Sequence, residues 1–296
     1  MKLIKAKIMS ANKGPVFLAV IFTMLIPLCY SENSYAQYVF GTRSIGLGGA
    51  GRAAQIGSEG PLLNPANFPL NNDFHFGGIF NERELDSQGF VTEFGGFIVD
   101  RNPEALFPAM LSYTKKDKRL DGLRIKETNY EVAVGKPVTG WLAIGFDLRY
   151  FQQRIGSDEN TYFNGGLGAL VNPAQNLTFA VVGRNILNRY TLDMQPALDV
   201  AGAYMFEKVL SVMADGVFRE KDNPDKKGVY SLGLESYLPY DFMVRLGGRK
   251  DEYLSQNFWT AGLGWDGPKF TLNYAYERNA SKDGQFAHSF DLLVYF

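Results

Sequence analysis

From Asp73 onward the chain alternates apolar and polar positions with a period of two, the pattern of a strand whose two faces meet different surroundings. The alternation recurs in DFHFGGIF, GFVTEFGGFIV, FPAMLSY, IKETNYEVAV, WLAIGFDLRYF, FNGGLGALV, LTFAVVGRNI, ALDVAGAYMF, VLSVMADGVF, GVYSLGLESYL, DFMVRLGGR, NFWTAGLGW, KFTLNYAYE and FAHSFDLLVYF. These are about fourteen segments of roughly 7 to 11 residues, the length of a tilted strand that crosses a bilayer, and the even count suits a bacterial barrel. The pattern predicts an all-β transmembrane antiparallel barrel of about 14 strands over residues 73–296.

The connections predict the orientation. One set is short: GKPVTG from Gly135, VNPAQN from Val171, Glu207-Lys208, LPYD from Leu238 and DGP from Asp266. The other is longer and polar: NERELDSQG from Asn81, KKDKRLDG from Lys115, GSDENTY from Gly156, REKDNPDKKG from Arg219, RKDEYLSQ from Arg249 and RNASKDGQ from Arg278. The two sets fall on opposite sides of a membrane, periplasmic turns and outer loops, a sorting that a soluble sandwich has no reason to show. Trp141, Trp259 and Trp265 sit near segment ends, where an interfacial girdle places aromatic rings.

Within WLAIGFDLRY, Leu142, Ile144, Phe146 and Leu148 face one way, and Ala143, Gly145, Asp147 and Arg149 the other. Across the strands the second face collects Glu127, Glu131, Asp147, Arg149, Arg184, Asp199, Asp215, Glu235, Arg245, Asn273, Glu277 and Asp291. A charge on the lipid face costs about 2–4 kcal/mol at the midplane, so these residues are expected to point into the lumen, pairing with one another and with a plug. Their mixed signs argue against a simple ion-selective pore.

At the end of the chain Phe290, Leu292, Val294 and Phe296 share one face. This terminal strand resembles the signal by which bacterial outer-membrane barrels are taken up by the barrel-assembly machinery, which makes that machinery and outer-membrane lipid the expected partners. At the other end Lys2, Lys5, Lys7 and Lys13 precede the apolar run Pro15 to Leu28, and Ser34-Tyr35-Ala36 follows. That is the pattern of a signal peptide, residues 1–36, cut after Ala36; the run is shorter than the roughly 20 residues of a spanning helix. The lone cysteine, Cys29, follows Leu28 where a lipidation site wants a small residue, and it leaves with the signal.

The mature chain therefore has no thiol for disulfides or zinc, and no metal or cofactor is expected. A net charge of −1 from 30 basic and 31 acidic residues gives no argument for nucleic acid. The 32 glycines and 14% aromatic content favour a β-barrel over a helical bundle. The two histidines, His75 and His288, form no catalytic pair by alternation, since His288 and Ser289 are adjacent and point to opposite faces. An enzyme is not expected.

The remaining stretch, GTRSIGLGGAGRAAQIGSEGPLLNPANFP from Gly41 to Pro69, is rich in glycine and alanine and contains Asn64-Pro65-Ala66. With the strands that follow, it resembles the N-terminal segment of FadL-type outer-membrane transporters. Gly233-Leu234-Glu235, Arg245 to Gly248, Gly262 to Trp265, Asn273 to Tyr276 and His288-Ser289-Phe290 are similar to the PorV/PorQ branch of that group. The resemblance implies a plug segment over residues 37–72, with Gly46, Gly48, Gly49, Arg52, Asn64, Pro65 and Ala66 as its characteristic positions. It implies a protein of the bacterial outer membrane that passes a hydrophobic or amphipathic small molecule. The alternative it implies is a barrel that docks with secretion-system or surface-assembly proteins. The outer connections are short and charged, unlike the long apolar loops of the fatty-acid transporters. Gly95-Gly96 is a candidate kink for a lateral opening.

Overall fold

The computed structural model of the chain describes residues 41–54, 59–68, 74–85, 89–102, 104–120, 123–187, 195–219 and 227–296. Residues 1–36, expected to be a signal peptide, lie outside the described residues. Fourteen strands follow one another: β1 Phe74–Leu85, β2 Gly89–Asp100, β3 Ala109–Leu120, β4 Leu123–Thr139, β5 Leu142–Ile155, β6 Asp158–Ala174, β7 Leu177–Arg184, β8 Ala197–Phe206, β9 Leu210–Arg219, β10 Val229–Tyr237, β11 Phe242–Asp251, β12 Gln256–Asp266, β13 Phe270–Asn279 and β14 Gln285–Tyr295. Each pairs antiparallel with its chain neighbours, and β1 pairs with β14 from His75↔Tyr295 to Leu85↔Gln285, closing the barrel. The Phe296 amide donates to the Phe74 carbonyl at 2.9 Å, so the barrel's two ends of chain meet on one rim. Among the described residues no helix is long and apolar enough to cross a membrane.

The alternation is realised strand by strand. In β14, Phe290 and Leu292 are exposed on the outer wall, while Ser289, Asp291 and Leu293 are buried on the inner one. In β5, Ile144, Phe146 and Leu148 are exposed, and Gly145, Asp147 and Arg149 are buried. Closure gives every strand a partner on both sides, although β7 meets β6 only from Leu167 onward.

Several connections differ from the expectation. Lys115 to Leu120 belong to β3 rather than to a loop, Asp158 to Tyr162 belong to β6, and Gly135 to Thr139 extend β4. The outer ends of β3–β6 carry polar residues on both faces, so no hydrophobic contrast marks them as strand. The backbone ladder to the neighbouring strand makes them strand, with exposed cross-strand charge pairs such as Arg124–Asp117 and Arg154–Glu159 adding to it. The β5–β6 connection is therefore only a tight turn at Gly156-Ser157, with Gly156 at φ +61°. On the rim of the termini, the stretch between β2 and β3 is longer than that turn, so loop length sorts the two rims less cleanly than expected.

The described part of the N-terminal segment is buried and packs on inward-facing residues. Phe68 joins Ile79, Phe97, Val99, Met110, Ala133 and Leu293; Ala53 and Ala66 join Leu170, Ala180 and Ala201; Leu47, Ala50 and Ala54 join Met213. Each cluster thus pairs the segment with the wall.

Candidate functional site

The segment folds by glycine turns and asparagine bonds. After a short helix at Thr42–Gly46, Gly48, Gly49 and Gly51 take φ of +71°, +91° and +133°, a run of left-handed conformations that only glycine adopts freely. The chain doubles back: the Gly49 amide donates to the Ser44 carbonyl at 2.7 Å and the Ser44 hydroxyl donates to the Ala50 carbonyl at 3.0 Å. Asn64 Oδ1 accepts from the Ala66 amide at 2.9 Å, a local turn, while its Nδ2 donates to the Arg52 carbonyl at 3.1 Å. Asn67 Nδ2 donates to the Ala54 carbonyl. The two asparagines therefore tie residues 59–68 to residues 41–54.

Two arginines anchor the folded segment to the wall. Arg52 is 1% exposed; its Nε lies 2.6 Å from Asp199 Oδ2 and its Nη1 lies 2.9 Å from Asp215 Oδ2. Asp215 Oδ2 also accepts from the Gly51 and Arg52 amides at 3.1 Å, and Arg184 Nη2 reaches Asp199 Oδ1 at 2.7 Å. Arg43 forks onto Glu235, Nε at 2.7 Å and Nη2 at 2.6 Å, the bidentate geometry in which guanidinium and carboxylate match. Glu235 also accepts from Arg245 Nε and the Tyr237 hydroxyl, each at 2.6 Å. From Arg245 the chain of bonds runs through Asn273 at 2.8 Å to Asp291 at 2.7 Å. Thr42 and Ser289 share a hydroxyl bond of 2.7 Å.

Glu59 closes the network from the segment's side. Its carboxylate accepts from the Ser44 amide at 2.7 Å and the Arg43 amide at 3.3 Å. Burial, and then the negative charge of Asp291, push its pKa up to about 7 despite the opposing pull of Arg43.

Glycines in the wall make room for the segment. A Cβ on Gly145 would sit 1.9 Å from the Pro65 carbonyl oxygen, one on Gly135 would sit 2.3 Å from the same atom, and one on Gly168 would sit 2.1 Å from Asn64 Oδ1. On the far side, a Cβ on Gly247 would lie 2.3 Å from the Leu47 carbonyl carbon, and one on Gly233 would lie 2.8 Å from Leu47 Cβ. Gly46 and Gly262 face each other, and Gly48 lies against the backbone of Gly248. Real Cβ atoms do not approach so closely, so the segment, mostly by its backbone, occupies the volume those side chains would need.

The other expected lumen residues are all buried and form their own pairs. Arg149 lies 2.9 Å from Asp147 and 3.5 Å from Glu131, Glu127 meets Lys118, and Glu277 meets Arg83 at 2.8 Å and Arg249 at 3.0 Å. The ladder runs through Gly95 and Gly96 on both sides without a register shift. Phe290, Leu292 and Phe296 are exposed and Val294 is half-buried; the Phe296 ring is 6.1 Å from Phe74. His288 lies on the outer wall, its Nδ1 2.8 Å from the Tyr274 hydroxyl, whereas Ser289 is buried.

Arg43, Glu59, Asn67, Tyr237 and the wall glycines Gly135, Gly145, Gly168 and Gly247 were not predicted as site residues. Two signals point to them: Glu59 is the lone acid between Gly41 and Phe68, and Gly145 falls on the polar face of a strand that otherwise alternates cleanly.

The sequence matches no family model and no curated protein. Solved structures share its fold. The toluene transporter TodX of Pseudomonas putida aligns with a TM-score of 0.64 at 11% identity, over 89% of this chain and 99% of that one. A Pseudomonas aeruginosa FadL homologue aligns at 0.63 and 11%, with the same coverage. The Acinetobacter baumannii outer membrane protein Omp33 aligns at 0.50 and 11%, over 77% of this chain and 99% of that one.

Proposed function

We propose that this chain is an outer-membrane barrel through which a hydrophobic or amphipathic small molecule passes, gated by residues 37–72 acting as a plug within a barrel of residues 73–296. The observation that carries the reading is the pair of arginine anchors, Arg43 on Glu235 and Arg52 on Asp199 and Asp215, which bind a compact glycine-turned segment to inward-facing strand residues. Fourteen strands enclose more space than their own side chains fill, so something must occupy the lumen if the barrel is not to be an open hole.

The outer wall supports the membrane location. Exposed rings and aliphatic chains such as Phe76, Phe80, Phe94, Ile98, Leu111, Phe146, Leu232, Leu246, Leu263 and Leu292 recur around it, far beyond the few hundred Å² of apolar patch that a soluble monomer tolerates. The FadL homologue and TodX share the fold, and the latter's description as a toluene transporter supports a hydrophobic cargo. No observation favours the docking role in secretion or surface assembly.

The test is uptake by cells lacking the gene and complemented with wild-type or Arg52→Ala protein, using labelled toluene, octane and oleate. Wild-type complementation is expected to restore entry of at least one of the three. Unchanged uptake of all three with and without the barrel would overturn the reading.

A further inference from the structure

On the outer wall of β2–β6 the register lines residues up in rows. The first row is Gly96, Tyr113, Tyr130, Tyr150 and Phe163, consecutive cross-strand partners whose tyrosine rings stand 5.2 Å and 6.2 Å apart. Two residues further toward the rim opposite the termini, the row is Phe94, Lys115, Thr128, Gln152 and Thr161. Next come Thr92, Asp117, Lys126, Arg154 and Glu159, and then Phe90, Arg119 and Arg124.

The wall therefore changes over four residues from aromatic, through a polar row that holds Lys115, to charged. Five cations, Lys115, Arg119, Arg124, Lys126 and Arg154, stand on the outer face of three adjacent strands against two carboxylates, Asp117 and Glu159. Asp117 pairs with Arg124 and Glu159 with Arg154. Arg119 is placed directly opposite Arg124, a like-charge cross-strand pair whose one nearby carboxylate, Asp117, is bonded to Arg124 and also faces Lys126, so three cations share one acid. On β1, beyond β2, the outward positions at this height are instead acidic, Glu82 and Glu84, so the positive surface ends before that strand.

We propose that this surface holds the phosphate-bearing headgroup of an anionic lipid, whose chains lie along the tyrosine row and the wall below it. The proposal rests on the membrane reading above. Tyrosines mark the level where a bilayer's apolar core gives way to headgroups, and basic side chains immediately beyond that level meet lipid phosphate rather than bulk solvent. Guanidinium groups match phosphate oxygens in two-point geometry, and the lysines add unshaped positive charge. Charge complementarity thus selects an anionic lipid, and the adjacent apolar row selects a lipid over a free ion.

The experiment uses the full mature barrel in zwitterionic detergent, titrated with dioleoyl phosphatidic acid or dioleoyl phosphatidylcholine and read by native mass spectrometry. The comparison is wild type, Arg119→Gln/Arg124→Gln/Lys126→Gln, and the control Lys250→Gln/Arg278→Gln, which removes exposed cations elsewhere on the same rim. Heat-modifiable gel mobility verifies that each barrel is folded. Retention of phosphatidic acid is expected to fall at least about tenfold in the triple variant, with the control and phosphatidylcholine binding unchanged. Equal retention in the triple variant, or an equal loss in the control, overturns the proposal. Displacement of the lipid by millimolar inorganic phosphate also overturns it, since the site would then read phosphate alone. Flotation of the wild-type barrel with pure phosphatidylcholine vesicles reports the membrane reading separately.

Discussion

Arg52 and Asp199, 147 positions apart in sequence, meet through a 2.6 Å bond between groups that are almost wholly removed from solvent. A buried guanidinium is tolerable only while its carboxylates stay in place, and removing one partner of such a pair costs about 3–5 kcal/mol. Arg52→Ala takes the guanidinium away from Asp215 and leaves Asp199 to Arg184 alone, and is expected to release the segment while the barrel stays closed. In planar bilayers the variant should open far more often than wild type. Arg52→Lys should rescue poorly, because a point charge cannot bridge two carboxylates and a backbone carbonyl as the fork does.

The wall glycines predict a purely steric phenotype. Gly145→Ala sets a methyl 1.9 Å from the Pro65 carbonyl oxygen, a distance at which backbone must move. Gly78→Ala, with nothing within 4 Å of the added carbon, is the matched control in another strand. Limited trypsin digestion of the folded barrel, which has Arg43 and Arg52 as cleavage sites in the segment, should cut Gly145→Ala several-fold faster than Gly78→Ala or wild type.

Glu59 predicts the pH dependence of docking. Its carboxyl, pushed up to about 7 by burial and by the charge of Asp291, holds a proton more tightly when docked than when exposed. Docking is therefore strongest below the ordinary carboxylate range and weakens as the pH rises through about 7. The groups facing Glu59 are Arg43 and Arg245, which oppose the shift, and Asp291, which adds to it. Protease sensitivity of the segment should be higher at pH 8 than at pH 5.5, and Glu59→Gln should flatten that difference. An equal slope in the variant would assign the dependence elsewhere.

The membrane reading predicts a position-dependent cost on the outer wall. Leu246, outward and near the middle of β11, is expected to lose about 2–4 kcal/mol of folding stability in vesicles when changed to arginine. Asn257→Arg, at the outer end of β12, should cost about 0–1 kcal/mol. Urea titrations of barrels folded into phosphatidylcholine vesicles measure both.

The fourteen strands were legible because each divides apolar from polar by face, and the closed barrel uses that division directly. The outer ends of β3–β6 were not, since Lys115, Lys116, Asp117 and Lys118 are polar whichever way they point, and only pairing with β4 makes them strand. Within the segment, Arg52 and Asn64 stood out by composition and setting, and Asp199 and Asp215 stood out on the inner face, but which of them would meet did not. Which acids Arg52 meets depends on where closure carries β8 and β9, a long-range consequence that local periodicity does not encode. Gly145 and Gly247 were visible as glycines without their purpose, because a missing side chain records only that something else is close.

The wall glycines contacted by the segment fall into two groups on well-separated arcs of the barrel, Gly135, Gly145 and Gly168 on β4–β6 and Gly233, Gly247 and Gly262 on β10–β12. A single stretch of chain is thus fastened to both, like a tie-rod between facing walls of a cylinder. Its mechanical consequence is that the two arcs are coupled through the segment as well as through the strands between them.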